Sequence, residues 1–175
     1  MHLETARLVL RSSTPLELEQ LGTDSSTFEH TTQLRVTTGY LEFPDALAWA
    51  LRALRERPAD AEWTAPLLFI HRADRALIGF GGFKGPVDTD GAVELGYGIA
   101  PAYRRQGFAT EAALAMLAHA RTFPAIHTVL AHTLPERNES TRVLERCGFT
   151  LAGTLTDPTD GVVWRWRADT VSPRD

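Results

Sequence analysis

The chain has one cysteine, Cys147, among 175 residues. A single thiol closes no internal disulfide and supplies no cysteine cluster for a metal, so a disulfide scaffold and a cysteine-based metal site are both excluded. A reducing, cytoplasmic setting is the expectation that fits. No apolar run is long enough to cross a bilayer, and the opening MHLETARLVLRSS lacks the apolar stretch of a secretory leader. Positive charge is also in short supply. The 18 Lys+Arg stand against 22 Asp+Glu, a formal net charge of −4, which leaves no electrostatic footprint for nucleic acid in the totals. A Gly-Lys-Thr/Ser phosphate loop, an internal repeat and a low-complexity linker are likewise missing. No nucleic-acid partner, no membrane and no metal are expected.

What is present is ordinary globular material, 43% hydrophobic and 23% charged, in a length that suits one core. Residues 1–169 read as one domain, and 170–175 as a short polar tail that frays. Residues 7–11 (RLVLR) alternate as a strand. Thr14, Pro15 and Glu17 form a capping box with proline at the first helical position, predicting a helix from there to about Leu21, stopped by Gly22. Residues 24–42 carry no clear pattern and receive no element. Pro44 opens a helix with Leu47, Leu51 and Leu54 on one face, ended by Pro58. Residues 67–71 and 77–83 read as a hairpin, and 92–100 (AVELGYGIA) as a further strand halted by Pro101. A helix over 110–121 shows the stripe Ala113, Met116, Leu117 and Ala120. A strand at 127–133 follows, then a helix over 139–147 between Asn138 as N-cap and Gly148 as C′. Residues 150–155 and 162–167 close as a hairpin. The order is β-α-α-β-β-β-α-β-α-β-β, an α/β fold.

The informative stretch is 94–111, ELGYGIAPAYRRQGFATE. A strand ends, and a turn holding Arg104, Arg105, Gln106, Gly107, Phe108 and Ala109 feeds straight into a helix at Thr110. A helix start presents unpaired N–H groups and partial positive charge, which suit a phosphate. Gly107 and Ala109 leave room for close approach, and the two arginines add cations. Physics at this point reaches an anion, a phosphate or pyrophosphate. It does not choose among nucleotide, coenzyme A and sugar phosphate.

The pattern Arg104-x-x-Gly107-x-Ala109 resembles the pyrophosphate loop of the GNAT superfamily of acyl-coenzyme A N-acyltransferases. The segments LETARLVLR (3–11), ELGY (94–97), GFATEA (107–112) and NESTRVLERCGF (138–149) are similar, in order, to pieces of its ribosomal-protein N-terminal acetyltransferase branch. The resemblance implies a single-domain α/β fold with a mixed, mostly antiparallel sheet, helices on both faces and two central strands that splay. Those strands would be 92–100 and 127–133. Acetyl-CoA would lie in the opening as co-substrate, held by backbone groups of Ile99 and Ala100, by the loop from Arg104 through Thr110, and by Asn138. Gly96 and Gly98 would suit a bulge.

The resemblance also implies chemistry. Glu94 matches the branch's acidic position and is the candidate base, with an ion pair to an arginine as the bland reading; His127 and His132 are further candidates. Many members protonate the leaving thiolate from a tyrosine four residues before the closing glycine, but Leu144 stands there. Ser140 matches the serine that the branch carries instead. Tyr97 could contact the acceptor or line the core, and Trp49, Trp63, Trp164 and Trp166 read as packing or as pocket walls. The implied reaction is direct attack by a primary amine, on a protein N-terminus or a small molecule, in a ternary complex, since Cys147 sits at a helix end as a packing residue. A catalytically silent acyl-CoA-binding regulatory module is the alternative. A homodimer is the expectation for assembly.

Overall fold

The run LLFI at 67–70 cannot face one side of a strand, because successive side chains alternate. A strand with apolar residues on both faces needs a core on each. The computed structural model, which describes residues 1–41, 45–158 and 160–170, supplies both. Leu67 and Phe69 join one apolar cluster, and Leu68 and Ile70 join another on the opposite face.

The strands are β1 His2–Glu4, β2 Leu8–Ser12, β3 Arg35–Val36, β4 Leu67–His71, β5 Ala76–Phe83, β6 Ala92–Ile99, β7 Thr128–Thr133, β8 Thr150–Asp157 and β9 Gly161–Asp169. The helices are α1 Pro15–Thr23, α2 Ser25–Thr32, α3 Asp45–Glu56, α4 Ala61–Thr64, α5 Phe108–Ala120 and α6 Glu139–Arg146. The sheet runs β1-β2-β4-β5-β6-β7-β9-β8, with β3 paired to β5. Among the described residues only β3–β5 and β6–β7 are parallel pairs, so the sheet is mixed and mostly antiparallel, as expected. Helices α1, α2 and α3 cover one face through Leu18, Phe28 and Leu54; α5 and α6 cover the other through Met116, Leu117 and Leu144.

Local chemistry explains most boundaries. The α1 capping box forms as read: the Glu17 N–H donates to Thr14 Oγ1 at 3.2 Å, and the Thr14 N–H to Glu17 Oε2 at 2.9 Å. The α5 stripe Ala113, Met116, Leu117 and Ala120 is fully buried. The α6 terminus is a Schellman turn. Gly148, at φ +84°, donates its N–H to the Glu145 carbonyl, and Phe149 donates to that of Leu144.

Three expectations need correction. Helix α1 does not stop at Gly22, which lies on an exposed face with nothing within 4 Å of where a Cβ would stand; the chain continues to Thr23. Asp24 then ends α1 and begins α2, accepting the Ser26 N–H at 3.0 Å, so part of the stretch left unassigned is helical. Its pattern is weak because SSTFEHTT buries only Phe28. A short β1 also precedes the expected first strand and pairs with it, His2 opposite Arg11. Pro44 and the tail beyond Thr170 lie outside the described residues. Among the described residues no helix is long and apolar enough to cross a membrane.

Candidate active site

Strand β6 is the hinge of the site. It pairs with β5 along Leu95–Ile99 without a register break, so the expected bulge is not there. On its other side it pairs with β7 only at Ala92↔Thr128, Val93↔Val129 and Glu94↔Leu130. Past Glu94 the two strands part, and β7 continues to Thr133 against β9 alone. Alternate residues of an antiparallel strand send both backbone groups to the same side. The Glu94 carbonyl accepts from the Lys84 N–H and the Ala100 N–H donates to Ile78, which assigns even-numbered residues to β5. Tyr97 and Ile99 therefore turn their backbone groups into the opening. Ala100 does not: its N–H is spent on Ile78, and its carbonyl already accepts from Tyr103, both at 2.8 Å. The Ile99 carbonyl accepts from Arg104 Nε at 2.9 Å, which draws that side chain back toward β6.

The turn that begins at Arg104 ends in Gly107 at φ +85°, a left-handed conformation that favours glycine. Gly107 is the N-cap of α5 and has no side chain to satisfy the first N–H groups of the helix. Arg105, also left-handed at φ +62°, is exposed beside them. Gln106 donates to the Ala102 carbonyl. The Phe108 side chain is buried against His71, so toward the loop it offers its backbone N–H alone. Ala109 and Thr110 are half-buried in the first turn.

Sequence reasoning missed what braces this turn. Glu111 accepts from Thr5 Oγ1 at 2.6 Å, the Arg7 N–H at 2.8 Å and Arg7 Nε at 2.7 Å. Arg7 also donates to the Gln106 carbonyl at 2.9 Å and lies over the Phe108 ring, 4.3 Å from its centroid. Burial pushes the Glu111 carboxyl up, but hydrogen bonds from Thr5 and from the Arg7 amide and guanidinium outweigh it and hold the group below the ordinary glutamate range. The available signal was an acidic residue in the first turn of a helix following a basic loop.

Glu94 sits at the last β6–β7 pair. Its Oε1 lies 2.5 Å from Lys84 Nζ and 3.0 Å from His132 Nδ1, so its partners are a lysine and a histidine rather than an arginine. His132 Nε2 and Glu94 Oε1 are both buried without a hydrogen-bond partner, so the approach of His132 to Glu94 is one of distance and not a formed hydrogen bond. His127 is exposed at the start of β7, the end remote from the opening, and is not brought to this cluster.

Across the opening, Tyr97 Oη donates to the Ser140 carbonyl at 3.4 Å. Burial, and then the neighbouring Cys147 thiol, push the Tyr97 phenol well above its usual range, so it keeps its proton. Ser140 stands half-buried in the first turn of α6. Asn138 caps that helix, its Oδ1 accepting the Thr141 N–H at 3.1 Å, which leaves its amide nitrogen for other contacts. Leu144 is buried in the core. Trp63 packs on Phe83 and Phe123, Trp49 is exposed on α3, and Trp164 and Trp166 wall a hollow of about 300 Å³ beside α6.

A strand pair that parts above an uncapped, arginine-flanked helix start can be set beside known proteins. The sequence profile described as Acetyltransferase (GNAT) domain matches residues 7–150. The chain belongs to the GNAT acetyltransferase family. Uncharacterized N-acetyltransferase YjdG of Bacillus subtilis (strain 168) is 26% identical over 84 residues, 48% of this chain and 50% of that protein, so the chain spans about half the length of the curated relative it matches. The fold is that of a ribosomal-protein-S5-alanine acetyltransferase from Vibrio fischeri, with a TM-score of 0.71 at 13% identity over 100% of both chains. It is also that of a spermidine N-acetyltransferase chimera of Vibrio cholerae SpeG and hSSAT, at 0.67 and 19%, covering 94% of this chain and 96% of that one.

GNAT structures bind coenzyme A or its acetyl ester, as in the coenzyme A complex of an L7/L12 acetyltransferase. The residues here fit such a group on two counts: the cradle at Gly107, where nothing caps the helix, and the β6 edge at Tyr97 and Ile99, which β7 has left. Among the described residues no cluster of His, Cys, Asp and Glu could hold a metal ion.

Proposed function

We propose that this chain transfers the acetyl group of acetyl-CoA to a primary amine by direct attack in a ternary complex. The observation that carries the reading is Glu94. It stands where β6 and β7 part and already holds a primary ammonium, that of Lys84, against its carboxylate. A site that binds one ammonium at a carboxylate has the chemistry to receive another.

Bound acetyl-CoA would supply an acyl carbon activated as a thioester. The N–H groups at the start of α5 and the Arg105 guanidinium would hold its pyrophosphate, and the backbone of Tyr97 and Ile99 its pantetheine arm. The acceptor arrives as an ammonium, which has no lone pair until it loses a proton. Glu94 takes that proton, with His132 Nδ1 lying 3.0 Å from its carboxylate. Ser140, in the first turn of α6, is the hydroxyl able to give a proton to a departing thiolate. Cys147 takes no part as a nucleophile, because burial pushes its thiol up to about 11 and it stays protonated at neutral pH. The acceptors named for the structural neighbours include a ribosomal protein and a polyamine, which fits a primary amine and leaves its carrier open.

The test is thiol release from acetyl-CoA over a panel of peptide N-termini and small amines. Glu94→Gln should lower kcat/KM by about 10² to 10⁴, the range for a lost general base, with acetyl-CoA still bound in calorimetry. Failure of the wild type to bind acetyl-CoA overturns the proposal. Binding with no turnover of any amine favours the silent module instead.

A further inference from the structure

Lys84 is the only lysine of the chain; every other basic residue counted with it is an arginine. Its place is fixed by three contacts. Its backbone N–H donates to the Glu94 carbonyl at 2.8 Å, setting it directly across β5–β6 from the candidate base. Its stem runs over Gly96, the next residue on the Glu94 face once β6 has left β7. A Cβ at Gly96 would stand 3.2 Å from Lys84 Cε, so the missing side chain makes room for the lysine. Its Nζ ends 2.5 Å from Glu94 Oε1, the oxygen that His132 Nδ1 also approaches at 3.0 Å. The side chain is 53% exposed, so the amine is accessible.

We propose that Lys84 is an internal acceptor and that the chain acetylates its own ε-amino group. The inference rests on the N-acetyltransferase reading of the same site. The ammonium gives one proton to Glu94. The freed nitrogen lone pair forms a bond to the thioester carbonyl carbon, and the C–S bond breaks with its electrons passing to sulfur. The nitrogen's second proton balances the thiolate, so the products are Nε-acetyl-lysine, free coenzyme A thiol and one proton delivered through Glu94 to solvent. No oxidant or further reactant is needed.

The test incubates purified wild type, Lys84→Arg and Glu94→Gln with acetyl-CoA and follows them by intact-mass spectrometry and peptide mapping, with heat-unfolded wild type as the chemical control. Wild type should gain one acetyl group on Lys84. Lys84→Arg should gain none there, and Glu94→Gln and the unfolded chain should be slower by about a hundredfold or more. A second readout uses no acetyl-CoA: the sole lysine gives one assignable ζ-amine signal by NMR, and this signal should shift in Glu94→Gln. Lys84 left unmodified while an external amine is turned over overturns the inference and leaves the transferase reading intact. Equal labelling of folded and unfolded chain, or a ζ-amine signal unmoved by Glu94→Gln, also overturns it. Absence of acetyl-CoA binding overturns both readings. If circular dichroism shows Glu94→Gln to be unfolded, the comparison of folded with unfolded wild type decides.

Discussion

Replacing Glu111 with alanine removes the carboxylate that ties the amino-terminal arm to the start of α5. Its partners are Thr5 Oγ1 at 2.6 Å, the Arg7 N–H at 2.8 Å, and Arg7 Nε and Nη2, both at 2.7 Å. Charged hydrogen bonds contribute roughly 1.5–3 kcal/mol each where water is excluded. Here the Glu111 side chain is 16% exposed and that of Arg7 44%, so solvent weakens the guanidinium contacts. Two of the four bonds at the low end of that range give a loss of about 3 kcal/mol. At roughly 2–4 °C per kcal/mol for a chain of this size, the thermal midpoint should fall by about 6–12 °C. The effect also has a sign in pH. The folded carboxyl ionises below the ordinary 4.5, so its contribution is complete above that value and is lost as pH falls through the folded one. Thermal melts by circular dichroism at pH 7 and at pH 3 are the assay. The wild type should lead the variant at pH 7, and the gap should narrow at pH 3. A midpoint change under about 2 °C at pH 7, or a gap of equal size at both pH values, would refute the reasoning.

Three further predictions concern glycines. A Cβ at Gly81 would stand 2.5 Å from the Gly96 carbonyl oxygen, 2.7 Å from Phe69 Cζ and 2.9 Å from Tyr97 Cα, so Gly81→Ala should cost about 3 kcal/mol in urea unfolding. Gly22→Ala, in open space on an exposed helix, should instead stabilise by about 0.5–1 kcal/mol; equal effects at the two positions would contradict this packing argument. At Gly107 a Cβ would come no closer than 3.4 Å to Arg7, so Gly107→Ala is penalised by its φ of +85° alone, at about 1–2 kcal/mol. If relief of that strain tilts the loop, the calorimetric Kd for acetyl-CoA should rise about tenfold, the equivalent of about 1.4 kcal/mol; an unchanged Kd would show that the Gly107 conformation is not needed for binding.

The parts of the fold that were legible in the sequence are those whose signal is local. Thr14 with Glu17, the α5 stripe and the Asn138 and Gly148 caps each lie within one turn of what they control, and they formed as read. The stretch at 24–42 was illegible because α2 is held by one buried side chain, Phe28, and β3 by a pairing with β5 some forty residues away. The site divided in the same way. The loop at Arg104–Thr110 could be read from a glycine and a helix start. The bonds that occupy Ala100, the brace from Arg7 to Glu111, and the meeting of Lys84, His132 and Glu94 depend on sheet register, which no spacing in one chain reveals. Gly96 suits a bulge on sequence grounds; in the structure it makes room for the stem of Lys84.

The most direct test of the central claim is a crystal structure of the chain soaked with acetyl-CoA. The pyrophosphate should lie on the N–H groups at the start of α5 beside Gly107, with the pantetheine arm in the opening between β6 and β7 and the thioester on the Glu94 side. Acetyl-CoA seated elsewhere, such as the hollow beside Trp164 and Trp166, or an opening closed by β6–β7 pairing past Glu94, would contradict it.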